Sequence, residues 1–120
     1  MLEINYIATG GYIQYCTLFC ETINNFFPNE QKILRIITDC DYRCNYDFGG
    51  NVEVEVVRLF DLIYPCINLN KTYILSQLPA TKAEYVFYFD ADTFFNEMPS
   101  DFWVWFKNEM DNNRFCIGKH

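Results

Sequence analysis

Residues 84–90, Glu-Tyr-Val-Phe-Tyr-Phe-Asp, constrain the fold of this chain more than any other stretch. A nearly unbroken apolar and aromatic run bounded by charge is the pattern of a central strand covered on both faces. Such strands belong to layered α/β folds, where helices bury a mostly parallel sheet. The run ends in Asp90-Ala91-Asp92. In an open α/β sheet the carboxyl ends of the strands are where ligands bind. A pair of aspartates there is therefore a candidate site.

The rest of the chain supplies the partners such a strand needs. Residues 2–9 read as a first strand, closed by the turn signal Gly10-Gly11. Apolar side chains at 12, 15, 16, 19, 23, 26 and 27 give helical spacing over 12–27, and Pro28 marks the end. Residues 32–38 form a second strand, followed by a polar loop. Gly49-Gly50-Asn51 is a turn. Val52, Val54 and Val56 then alternate with Glu53 and Glu55 in a third strand, half-buried or at an edge. A short helix fits 67–78, a last helix fits 101–110 with Ser100 or Asp101 as N-cap, and 115–117 opens another strand. The expected order is β-α-β-β-α-β-α-β in a single domain spanning 1–120.

Composition limits the partners. Half of the 120 residues are apolar and the net charge is −7, which argues against nucleic acid, whose phosphates are met by Lys and Arg. A diphosphate is still compatible if a divalent cation stands between it and the carboxylates. No stretch approaches the ~20 consecutive apolar residues of a membrane span. The amino terminus, Met1-Leu2-Glu3-Ile4-Asn5, has no signal-peptide pattern. The six cysteines then read as free thiols in a reducing cytoplasm. Cys40 and Cys44 have the spacing of half a zinc site, but His120 is the sole histidine and no second pair completes it.

Two carboxylates one residue apart diverge from extended backbone and converge where the chain turns. Together they offer hard oxygen ligands to Mg²⁺ or Mn²⁺. The competing readings are a pair of surface aspartates capping a loop, and the D-x-D-x-T motif of haloacid-dehalogenase-like phosphatases. In the latter the threonine would stand at 94, where this chain has Phe94, with Thr93 one place early. A P-loop or a full dinucleotide glycine fingerprint is absent after Gly10-Gly11.

Three stretches, taken in order, resemble glycosyltransferase family 6, the family of the histo-blood-group A and B transferases. They are Ile7-Ala8-Thr9-Gly10-Gly11-Tyr12 with the aromatic-rich helix after it, the strand ending Ile37-Thr38-Asp39, and residues 84–92 running into the D-x-D. The match extends over essentially the whole chain and over the first half of a family catalytic domain. The resemblance implies a GT-A-type, Rossmann-like nucleotide-sugar-binding domain. It also implies transfer of galactose or N-acetylgalactosamine from a UDP-sugar to a glycan or glycolipid acceptor, with retention.

Residue by residue, the resemblance places Ala8, Thr9 and Tyr12 at the uridine, with Ile7 packing beside them. Asp90 and Asp92 would bind Mn²⁺ (or Mg²⁺) and through it the diphosphate. Lys71 would lie near the donor sugar, and His120 would contact the acceptor. The glutamate associated with transfer in the family belongs to its second half, so no catalytic residue is assigned in this chain. Without the resemblance, Tyr12 reads as core, Lys71 as a solvated cation and His120 as a frayed terminal residue. The rival functions are a glycogenin-like family 8 transferase and a non-catalytic nucleotide-binding or interaction module.

Overall fold

Backbone hydrogen bonding joins four of the expected strands into one sheet. The computed structural model describes residues 1–58, 74, 76, 78 and 83–113. In it β1 (Leu2–Ile7), β2 (Lys32–Thr38), β3 (Val52–Arg58) and β4 (Tyr85–Asp90) lie in the order β3-β2-β1-β4, and every pairing is parallel. The helices are α1 (Cys16–Thr22), entered and left through 3₁₀ turns, and α2 (Phe102–Asn113). The protein is thus α/β, with a parallel sheet flanked by helices, compatible with a Rossmann-like arrangement. No helix among the described residues is long and apolar enough to cross a membrane.

The central strands are β1 and β2, and their burial shows why. All six residues of β1 are buried, and so are all of β2 except Ile33, as expected where a parallel sheet is covered on both faces. On one face Leu2, Ile4 and Tyr6 of β1, Ala8 just after it, and Leu34 and Ile36 of β2 meet Phe19, Ile23 and Phe26 from the α1 region. Tyr6 stacks on Phe19 with ring centroids 4.0 Å apart. Phe26 meets Phe87 and Phe89 of β4 edge-on, at 4.8 and 5.3 Å. Burying each such ring contributes roughly 1.5–3 kcal/mol. On the opposite face Ile7 and Ile37 pack with Ile74.

The position of β4 corrects the sequence reading. Among the described strands it is last in the order, not central. Its apolar run hides an alternation: Tyr85, Phe87 and Phe89 pack toward the helices, whereas Val86, Tyr88 and Asp90 are exposed. Valine and tyrosine counted as apolar in the sequence, but here they belong to the solvent-facing set. For β3 the edge alternative is the observed one, with Val54 and Val56 both exposed.

The helix expected over 12–27 is shorter and broken. A 3₁₀ segment covers Gly10–Tyr15, α1 covers Cys16–Thr22, and a last 3₁₀ turn covers Ile23–Asn25. Phe26 is already extended and Phe27 has φ 46°. The ring of Pro28 disfavours α-helical backbone at Phe27, so the helix does not reach its expected end. Tyr12, expected on the apolar stripe, is 57% exposed, because the tighter 3₁₀ turn takes it off that stripe. In α2 the amide of Trp105 donates to the carbonyl of Asp101, so Asp101 holds the expected N-cap position, and the helix runs three residues past its expected end. Ile74 and Ser76 are helical, within the short helix expected over 67–78. The rest of that segment and the strand expected at 115–117 lie outside the described residues.

Candidate functional site

Because the four strands are parallel, all their carboxyl ends meet one edge of the sheet, the edge where open α/β folds hold ligands. In register, Ile7 of β1 stands between Ile37 of β2 and Asp90 of β4. The chain leaves β1 through Ala8, Thr9 and Gly10, and the Ala8 amide donates to the Ile37 carbonyl at 3.0 Å. Gly10 has φ 56°, a left-handed conformation that glycine adopts without a Cβ penalty. Its amide donates to the Asp39 carboxylate at 2.9 Å, so the exit of β2 fixes the exit of β1. The Tyr12 amide closes the turn on the Thr9 carbonyl at 3.2 Å.

The aspartate pair leaves the same edge on a tight turn. The Thr93 amide donates to the Asp90 carbonyl at 3.1 Å, which is a β-turn over residues 90–93. Both carboxylates therefore depart from turning backbone. Two tyrosines hold the turn. Tyr6, buried in β1, donates its hydroxyl to the Ala91 carbonyl at 2.8 Å. Tyr88 donates to an Asp90 carboxylate oxygen at 2.6 Å, since residues two apart on a strand share a face. Burial pushes the Tyr6 phenol well above its ordinary range, with smaller contributions from Cys16, Cys20 and the charge of Asp92. Burial, and then the bond to Asp90, do the same for Tyr88. Both phenols thus stay protonated donors at neutral pH. Ala91 is buried between the two exposed aspartates, anchoring the turn while the carboxylates face water.

Ile7, Ala8, Thr9, Asp90 and Asp92 are therefore gathered at one edge. Ile7 is 2% exposed and packs in the core, consistent with a supporting rather than a contacting position. Ala8 and Thr9 are buried. Tyr12 is on the exposed turn that follows, its ring 6.2 Å from Tyr15. Lys71 and His120 lie outside the described residues. Sequence reasoning missed Asp39, Tyr6 and Tyr88 as parts of the site. The Thr38-Asp39 pair at a strand end was the available signal for the first. The tyrosines gave none, being indistinguishable from core aromatics. A cleft lined by Phe27, Pro28, Met98, Phe102 and Trp103 shares no residue with this edge.

Asp90 and Asp92 are the hard oxygen donors that Mg²⁺ and Mn²⁺ take in ones and twos, with phosphate and water filling the remaining positions. The donor set fits such an ion in that shared mode. Among the described residues no group of three or more Asp, Glu, Cys or His is placed to hold an ion unaided. The fold and this edge define a class, an α/β protein with a carboxylate turn at the carboxyl edge of a parallel sheet. Neither a scan against models of protein families nor a search of curated proteins finds a match to the chain.

Proposed function

We propose that this chain binds the donor in a GT-A-type glycosyltransferase of the family 6 kind, which moves galactose or N-acetylgalactosamine from UDP to a glycan acceptor. The observation that carries the reading is the meeting of Ile7-Ala8-Thr9 with the Asp90–Thr93 turn at the carboxyl edge of a parallel sheet. Ala8 and Thr9 keep the exit of β1 free of bulky side chains. The Tyr88 hydroxyl fixes the rotamer of Asp90, and Tyr6 fixes the turn through Ala91. With a net charge of −7, the chain would repel a bare diphosphate. Held by Asp90 and Asp92, Mn²⁺ or Mg²⁺ would supply Lewis-acid stabilisation of charge on the departing nucleotide.

Calorimetric titration of UDP into the purified chain tests this, with Mn²⁺, with EDTA, and with the Asp92→Ala variant. The expected result is micromolar to sub-millimolar binding that requires the metal and is lost in Asp92→Ala. A folded chain that binds no UDP under any of these conditions overturns the assignment of Asp90 and Asp92.

A further inference from the structure

The aspartate turn hangs between two fixed points. At one end Asp90 is held in the sheet opposite Ile7. At the other, Phe95 is held by its ring and by both of its backbone groups. The ring lies among Phe19, Phe26 and Phe89, with centroids 5.2, 4.9 and 5.0 Å away. The Phe95 amide donates to the Thr22 hydroxyl oxygen at 3.0 Å. The Phe95 carbonyl accepts from the Asn25 side-chain amide at 3.0 Å. Residues 93–99 have no regular structure of their own, so no ladder or helix answers these two groups, and the end of the α1 region does so instead.

We infer that Thr22 is a positioning residue for the metal, setting the place of Asp92 by fixing the backbone that follows it. Asp90 is gripped directly by Tyr88. Asp92 is exposed, and its place depends on the backbone on either side. Before it, Ala91 is buried and its carbonyl takes the Tyr6 hydroxyl. After it, Thr93 and Phe94 alone separate it from Phe95. An arch this short passes any slack at Phe95 on to Asp92.

The Thr22 hydroxyl is aimed for this task. Its one proton goes to carbonyls of its own helix, Leu18 at 2.9 Å and Phe19 at 3.4 Å, as threonine does at helical positions. Its oxygen is left as an acceptor for the Phe95 amide. Two carboxylates share an ion only when both stand within roughly 0.5 Å of the productive geometry, so the ion feels a loosened arch. The chain leaves the carboxyl edge at Gly10, and α1 then runs back from it, so Thr22 acts through Phe95 and not by touching the ligand. This role rests on the donor reading of the edge and adds to it a residue from another element.

The test is titration of UDP with Mn²⁺ into the full chain and its variants, with uridine in parallel. Uridine has no phosphate, so it reports the nucleoside contacts without the ion. Thr22→Val keeps the shape of the side chain and removes the hydroxyl. It is expected to weaken Mn²⁺-dependent UDP binding roughly five- to tenfold and to leave uridine binding unchanged. Thr22→Ser, which keeps the hydroxyl, should restore UDP binding. Asn25→Ala, at an exposed position, covers the case in which Thr22→Val does not fold, and should show a smaller loss of the same kind. If wild type binds UDP with Mn²⁺ and the folded variants match it, or if they lose uridine as much as UDP, the role of Thr22 is overturned and the donor reading stands. If folded wild type binds no UDP, both fall.

Discussion

Arg35 shows how one side chain can serve a whole face of the sheet. From the middle of β2 it reaches Glu3 of β1 at 3.0 Å and Glu55 of β3 at 3.1 Å. Arg35 and Glu3 are buried, and among the described residues the second Glu3 carboxylate oxygen and the Asn5 side-chain Oδ1 have no hydrogen-bond partner. Removing the guanidinium would leave a buried carboxylate uncompensated. Arg35→Met is expected to cost about 3–5 kcal/mol in urea denaturation, and Glu3→Leu added to it to restore most of the loss. Tyr88→Phe has the opposite profile. Its ring is 37% exposed, so stability should change by less than about 1 kcal/mol. Metal-dependent UDP binding should weaken several-fold as Asp90 loses its tether, which calorimetry would detect. Neither role was legible in the sequence. A charge inside a strand reads as solvent-facing until register puts Arg35 between Asn5 and Glu55.

Among the elements, α2 depends on aromatic docking. Phe106 is buried against Tyr85 and Phe87 of β4 and against Phe27. Phe106→Ala is expected to cost about 3–5 kcal/mol. In hydrogen exchange it should release the amides of 102–113 well before those of β1 and β2. Phe27 holds its ring in this cluster from a left-handed backbone, a conformation that costs a non-glycine residue of order 1–3 kcal/mol. The ring contacts with Trp103 and Phe106, at 4.7 and 5.4 Å, outweigh it. Most elements were readable: four strands and α2 fall close to where the pattern places them, and α1 occupies the middle of its expected span. Pro28 was readable as a stop, but the earlier exit through Ile23–Asn25 to an extended Phe26 was not, because no change in apolar spacing marks it. The carboxylate turn was readable as far as its residues and its edge, since a strand followed by polar residues fixes both. Its tyrosine supports needed the packing.

Over the whole molecule, burial ties stability to pH. Burial is the leading cause that holds the Tyr6 and Tyr42 phenols above their ordinary 10.0. These groups stabilise the fold fully below pH 10, and that stability is lost as pH rises and the unfolded chain releases protons the native one retains. Lys32 acts in the other direction. Burial lowers its ammonium, so its penalty is relieved as pH climbs toward 10.5. With the phenols prevailing, the urea midpoint should fall above pH 10. Tyr6→Phe should flatten that fall while lowering stability at neutral pH by about 1 kcal/mol. The strand order has a consequence in time. β1 lies between β2 and β4, and its partner on one side is the last of the four strands to be synthesised. A growing chain can pair β1 with β2 through α1 early, but Leu2 must wait for Tyr85. Until then a strand buried along its whole length in the native sheet keeps one row of amides and carbonyls unanswered, and a ribosome pausing anywhere between Arg58 and Tyr85 would hold out that edge to neighbouring nascent chains.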